Sequence, residues 1–235
     1  MPAAKTTDPR RIRSFIRRQG RITPAQRQAL QDYQGVFCLD PEQAPDFHEI
    51  FQRKAPLFLE IGFGDGDCLA DMAAANPDRD YIGIEVHRPG VGHLLLLLQQ
   101  RGLSNVRIYC HDALDILEQC IPDDSLSGIH LFFPDPWPKK RHHKRRIVKP
   151  EFAELLAGKL HEEGYFHAAT DWEDYAEEML RVLNGCGSLL NTSPDDSYCR
   201  RPDHRPLTKF EQRGIRLGHT VRDLLFKKRS SPAAL

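Results

Sequence analysis

Asp135 stands between two prolines at the end of an apolar run, Ile129-His-Leu-Phe-Phe-Pro-Asp-Pro-Trp-Pro138. The chain then passes directly into Lys139-Lys-Arg-His-His-Lys-Arg-Arg146. Each proline locks its own φ and restricts the residue before it, so the backbone around the carboxylate is braced. Strand ends of open α/β sheets are where ligands bind. A carboxylate there, beside a surface suited to phosphates, points to chemistry on a base of a nucleic acid. Taken alone, the segment reads equally well as a strand ending in a turn and a solvated basic loop.

A second cluster narrows the choice. Leu57-Phe-Leu-Glu-Ile-Gly-Phe-Gly-Asp-Gly66 is an apolar strand running into a glycine-rich turn before a helix. Glycines there let the backbone approach a ligand and set a helix N-terminus against it. They fall at 62, 64 and 66, and Asp67 occupies the place where a dinucleotide fingerprint needs its third glycine. A pyrophosphate sits poorly beside Glu60 and Asp65. The loop suits a cationic ligand without phosphate, and S-adenosylmethionine, with its ammonium and sulfonium groups, is of that kind. Two more acids close the next strands. Glu85 lies about 20 residues past the glycines, where a ribose diol can donate to it, and Asp112 is within reach of an adenine amino group. Each acid alone reads as an ordinary surface or capping residue, whereas the set reads as a nucleotide-type cofactor site.

These residues need a scaffold of alternating strands and helices. Strands are expected at 57–61, 80–86, 106–110, 128–133 and 164–170, with helices at 66–75, 90–101, 113–120, 151–161 and 172–183. Strands separated by helical stretches imply βαβ units and a parallel sheet. Beyond residue 188 the rhythm breaks, and strands near 188–191 and 209–217, joined by a polar loop at 192–207, predict an antiparallel edge. The tail Leu224-Leu-Phe-Lys-Lys-Arg229 ends basic. Residues 1–9 read as disordered and 10–34 as a basic segment with a short helix. The expected division is therefore an arm over 1–34 and a catalytic domain over 35–235.

Lys+Arg and Asp+Glu both total 33, so net charge is silent about partners while its distribution is informative. Residues 10–27 carry seven arginines and no acid, and 139–149 carry seven lysines and arginines and no acid. Such stripes point to a polyanion. The six cysteines form no C-x-x-C pair, the histidines show no metal spacing, and no apolar run reaches membrane-spanning length. The expectation is a reduced cytoplasmic protein with no metal, no membrane attachment and no obligate protein partner.

At this point the chain resembles a known family. Glu60-Ile-Gly-Phe-Gly-Asp-Gly66, Ile82-Gly-Ile-Glu-Val-His-Arg-Pro-Gly-Val91, Phe133-Pro-Asp-Pro-Trp-Pro-Lys-Lys-Arg141 and Thr208-Lys-Phe-Glu-Gln-Arg-Gly214 look like the bacterial tRNA (guanine-N7-)-methyltransferases. Ile12-Arg-Ser-Phe15 and Arg17-Arg-Gln-Gly-Arg21 do so too, and the likeness runs from about residue 10 to 229. It implies a class I methyltransferase (Rossmann-like) fold, S-adenosylmethionine as cofactor, and tRNA methylated at a guanine of the variable loop. Glu60, Gly62, Gly64, Glu85, Asp112 and Asp135 would line the cofactor pocket, with Asp135 catalytic. Lys139 and Asp171 would contact substrate, and Thr208, Lys209, Phe210 and Glu211 would complete the guanine site. Arg141, His142, His143, Lys144, Arg145 and Arg146 would hold the RNA backbone. Arg222 departs from the family pattern, which has an aromatic there.

Guanine N7 carries an in-plane lone pair, so no base is needed, and catalysis rests on alignment and on carboxylates facing a developing cation. A carboxylate that accepts from N1–H and the N2 amine selects guanine over adenine. Asp135, Asp171 and Glu211 are the candidates. Ordinary readings stand beside these: Asp171 as a helix N-cap, Thr208 and Glu211 as solvent-facing strand residues with Glu211 paired to Arg213, and Trp137 as packing instead of a base platform. The alternatives are a methyltransferase for another RNA or a protein, an RNA-binding protein with a relic pocket, and a dinucleotide oxidoreductase.

Overall fold

The computed structural model describes residues 12–15 and 20–230, without the side chains of 209, 210, 213 and 215. The expectation for 1–9, and that for Ile16 to Arg18 in a basic helix, lie outside the described residues. Seven strands form one sheet in the order β3-β2-β1-β4-β5-β7-β6. They are β1 Leu57–Ile61, β2 Asp80–Ile84, β3 Val106–Tyr109, β4 Leu126–Phe132, β5 Leu160–Thr170, β6 Leu189–Asn191 and β7 Arg222–Lys228. β1 to β5 pair in parallel, and β7 runs antiparallel to both β5 and β6. All five residues of β1 are buried, as a central parallel strand covered on both faces requires.

Helices cover both faces: α1 Pro24–Phe37, α2 Phe47–Phe51, α3 Asp67–Ala75, α4 Arg88–Arg101, α5 Ala113–Gln119, α6 Pro150–Lys159, α7 Glu173–Asn184 and α8 Lys209–Arg216. One core layer gathers Leu59, Ile82, Ile129 and Phe166, and the other Phe58, Tyr81, Leu94 and Phe132. The sheet reverses its winding between β1 and β4, where open α/β folds bind ligands.

Four differences from the sequence reading have local causes. The segment expected as a strand at 209–217 is α8. Thr208 Oγ1 accepts from the Glu211 N–H at 3.1 Å and Thr208 O from Gln212 N–H at 3.0 Å, so the Thr-x-x-Glu opening is a helix cap. The antiparallel neighbour of β5 is instead the basic tail, β7, whose Leu224 and Phe226 are fully buried on alternate positions. At the N-terminal side, residues 12–15 are not helical. The helix there is α1, started by a capping box between Thr23 and Gln26 and by Pro24 in the first turn. It lies so close to α4 that a Cβ on Gly92 would stand 2.9 Å from the Gln26 carbonyl oxygen. Finally, the basic tract after Pro138, which taken alone reads as a solvated loop, holds a 3₁₀ helix, Lys140–Arg145.

Candidate active site

The glycine turn after β1 is shaped by its neighbours. Gly62 and Gly64 have φ of 71° and 60°, the left-handed region that glycine enters without strain, and a Cβ on either would meet nothing within 4 Å. The floor of the turn is therefore open backbone. A Cβ on Gly90, in the first turn of α4, would collide with the Gly64 carbonyl, so α4 braces the turn from behind. Glu85 ties the turn to the end of β2. Its Oε2 accepts the Gly64 N–H at 2.9 Å, and its Oε1 accepts those of Val86 and His87 at 2.7 and 2.9 Å.

Glu60 is a different kind of acid. It is 3% exposed, and its Oε2 is buried with no hydrogen-bond partner among the described residues. Burial, reinforced by the nearby Glu85, pushes its carboxyl up to about 8. An unpartnered buried carboxyl oxygen costs free energy, and a cation or donor entering from the turn would relieve it. Asp112 closes β3 and caps α5, accepting the Leu114 N–H at 3.1 Å. A pocket of about 250 Å³ opens at this end of the sheet, with Phe15, Gly62, Glu85, His111, Phe133 and Asp135 on its wall. Asp112 stands between two wall positions, His111 and Ala113. The open turn, the orphaned carboxyl oxygen and the three acids at successive strand ends fit a nucleoside ligand carrying positive charge.

Asp135 lines the same pocket, carried on a strained corner. Phe133 and Trp137 both have positive φ, 51° and 48°, which non-glycine residues keep only where surrounding contacts enforce it. Phe133 N–H donates to Ala169 O at 2.7 Å, anchoring the corner to β5. Trp137 Nε1–H donates to Ser14 O at 3.0 Å, and Arg145 lies over the indole at 5.1 Å. This is a packing role for Trp137, with one face already covered.

The 3₁₀ helix then presents its cations unevenly. Lys139, Arg141 and Lys144 are exposed, whereas His142, His143 and Arg145 are half-buried. Partial burial and then Arg141 and Arg145 hold His142 below its ordinary pKa, which favours the neutral imidazole. His143 Nε2 is 3.9 Å from Asp174. Arg146 departs from the expected RNA contact. It is 1% exposed, and its guanidinium is taken up by the Pro136 carbonyl, Asp174 and Glu178, because it points under the corner and not out of it.

The remaining candidates lie beyond β5. Asp171 does not cap α7: the N-cap is Trp172, whose N–H donates to Thr170 Oγ1 at 3.2 Å. Asp171 instead lies 3.2 Å from His219 Nδ1. Glu211, expected to face guanine or pair with Arg213, is 3% exposed and gripped by Arg205 through two bonds of 2.5 and 2.8 Å. The side chains of Lys209 and Phe210 lie outside the described residues. Arg222, the departure from the family pattern, lies over Tyr198 and pairs with Glu173, so the C-terminal strand packs without the aromatic.

Sequence reasoning missed the network behind Glu211. Arg205 also donates to Asp223 at 2.7 and 3.0 Å, His167 Nε2 meets Asp223 Oδ1 at 2.8 Å, and His204 Nε2 meets His167 Nδ1 at 2.9 Å. Burial raises the Asp223 carboxyl, but the bonds from His167 and Arg205 bring it below the ordinary value. Burial lowers His167, and it drives His130 well down with help from His167 and His204. These residues come from separate segments of the chain, and no local spacing signals their meeting.

No cluster of metal-ligating residues and no membrane-spanning helix is present among the described residues. A family model described as "Putative methyltransferase" matches residues 54–224. The chain is 57% identical to the tRNA (guanine-N(7)-)-methyltransferase of Methylococcus capsulatus, across 94% of this chain and 95% of that protein. It is 52% identical to the protein of the same name from Paraburkholderia xenovorans, across 98% and 90%. Among solved structures, the 16S rRNA methyltransferase KamB superposes with a TM-score of 0.54 at 16% identity, covering 80% of this chain and 95% of that one. The aminoglycoside resistance methyltransferase NpmB1 gives 0.54 at 14%, covering 81% and 94%. At such identities the likeness concerns the fold, a class I methyltransferase sheet.

Proposed function

The chain belongs to the tRNA (guanine-N(7)-)-methyltransferases, and from that premise we propose that it transfers a methyl group from S-adenosylmethionine to N7 of a guanine in tRNA, in the variable loop. The observation that carries this reading is one pocket lined together by Gly62 of the glycine turn, Glu85 and Asp135, whose strained corner runs on into exposed cations.

Glu60, Gly62, Gly64, Glu85 and Asp112 hold the cofactor, which when bound supplies an electrophilic methyl group. The unpartnered Oε2 of Glu60 receives its positive end, Glu85 its ribose hydroxyls and Asp112 its adenine amine. Asp135 faces the reacting base. No proton leaves N7, so the carboxylate aligns the ring and stabilises the positive charge that grows on it. Asp171, Lys139 and Thr208 border the base, and Glu211, fixed by Arg205, backs it. Lys139, Arg141 and Lys144 meet the phosphates, with His142, His143 and Arg145 alongside. Residues 35–235 form the catalytic unit. Residues 1–34 are assigned to a basic arm, with α1 crossing that boundary and packing against α4, and the protein works where its tRNA is, in the cytoplasm.

Borohydride and aniline cut RNA at 7-methylguanosine. Cleavage of enzyme-treated, previously unmodified tRNA at one guanosine of the variable loop is the expected result. Cleavage at another loop would overturn the site assignment and leave the reaction standing.

A further inference from the structure

Arg146 is the member of the basic tract whose side chain is fully buried. Its Nε–H donates to the carbonyl of Pro136, the residue directly after Asp135, at 2.9 Å. Its two terminal nitrogens donate to Asp174 and Glu178 on successive turns of α7. The guanidinium lies over the Tyr175 ring at 4.8 Å, and the Tyr175 hydroxyl accepts the Val148 N–H at 3.3 Å, which pins that ring in turn. One planar group thus joins the corner carrying Asp135 to the first turns of α7, and α7 begins two residues after Asp171.

We propose that Arg146 is a positioning residue for methyl transfer, fixing the Asp135 corner against the Asp171 corner, and that it makes no contact with RNA. The inference rests on the function proposed above. Three features of the geometry support it. A phosphate cannot reach a side chain with no exposed surface. The corner is strained at Phe133 and Trp137, and such backbone persists only where neighbours over-determine it; the bond to Pro136 O lies between those two residues. The fork also matches its partners in a way a lysine cannot, since one ammonium does not span the Pro136 carbonyl and two carboxylates of α7. Asp174 and Glu178 are partly exposed while Arg146 is not, so the pairs are oriented from inside outward.

The test compares Arg146→Lys with wild type in steady-state methylation of unmodified tRNA, with the salt dependence of tRNA binding measured in parallel. Misplacement of a reacting group by about 1 Å can cost about 10²-fold. Arg146→Lys is therefore expected to lower kcat by about 10–100-fold while KM for tRNA and Kd for S-adenosylmethionine stay within about twofold. In Arg146→Gln, which removes the charge, the slope of log affinity against log salt is expected to match wild type, whereas Arg141→Gln, the reference for a phosphate contact, flattens that slope by about one. A raised KM with kcat intact in Arg146→Lys, together with a flattened slope in Arg146→Gln, would overturn the proposal in favour of RNA contact.

A second variant covers a folding defect. Arg146→Met with Asp174→Asn and Glu178→Gln removes the stranded carboxylates together with the cation. It is expected to unfold near the wild-type temperature and to keep the low kcat; recovery of wild-type kcat would reduce Arg146 to a structural ion pair and refute positioning. Wild-type enzyme that yields no 7-methylguanosine would instead remove the function itself, a different failure.

Discussion

Replacing Glu60 with glutamine separates a buried acid waiting for a cation from a merely buried one. Burial and Glu85 raise its carboxyl from about 4.5 to about 8. Near pH 7 about ten molecules in eleven then carry the proton, and holding the group ionised there costs about 1.4 kcal/mol. A cationic ligand that pairs with the carboxylate must displace that proton. Binding S-adenosylmethionine near pH 7 should release about 0.9 proton, and affinity should weaken about ninefold on going to about pH 6. Over that window the ligand's own α-amino group stays mostly protonated. Calorimetric titration in two buffers of different ionisation enthalpy measures the released proton directly. Glu60→Gln retains every other titration of pocket and ligand, so its difference from wild type belongs to Glu60 alone. The variant should bind with a flattened pH profile and release correspondingly less proton. Equal proton release by wild type and variant would refute the reasoning, because Glu60 would then keep its proton beside the bound cofactor.

Two further predictions concern the hidden network. Arg205→Met leaves Glu211 and Asp223 buried without their cation, and breaking such a pair typically costs about 3–5 kcal/mol. Urea denaturation should show that loss, and a change below about 1 kcal/mol would mean the carboxylates find water or protons instead. The histidines predict acid lability. His130 and His167 are depressed below the ordinary value and His204 to about 4, so the unfolded chain binds their protons first as pH falls. Their contribution is therefore present above about pH 6.5 and drains away below it. Glu60, with a raised pKa, opposes them by about one proton over the same range. With three histidines set against one acid, unfolding free energy should fall between about pH 6 and pH 5. A flat profile between those values contradicts the neutral assignment of the cluster.

Much of the scaffold could be read from the chain because its signals are local. β1 follows the apolar run 57–61, and a central parallel strand leaves no polar alternation to blur its ends. The glycine turn declared itself through spacing, and Glu85 and Asp135 occupy the strand ends where their flanking residues put them. The reading went astray where tertiary context outweighed local pattern. The strand expected near 209–217 is a helix, for which Thr208 and Glu211 carry a start signal, and the true strand lies in a tail that ends in charges. Arg146 reads like its neighbours in a run of cations. Only the 3₁₀ helix and the pair of acids on α7 turn it inward, and neither is visible from spacing. His167, the adjacent pair His204–Arg205, and Asp223 are separated in sequence and meet only when β7 inserts between β5 and β6.

Methyl transfer from labelled S-adenosylmethionine to unmodified tRNA, assayed with wild type and Asp135→Asn side by side and followed by nucleoside analysis, tests the central claim most directly. The account predicts 7-methylguanosine as the labelled product of wild type, and a loss of at least about 10²-fold in kcat/KM for Asp135→Asn with cofactor binding retained. Label in another nucleoside, or full turnover by Asp135→Asn, would contradict it.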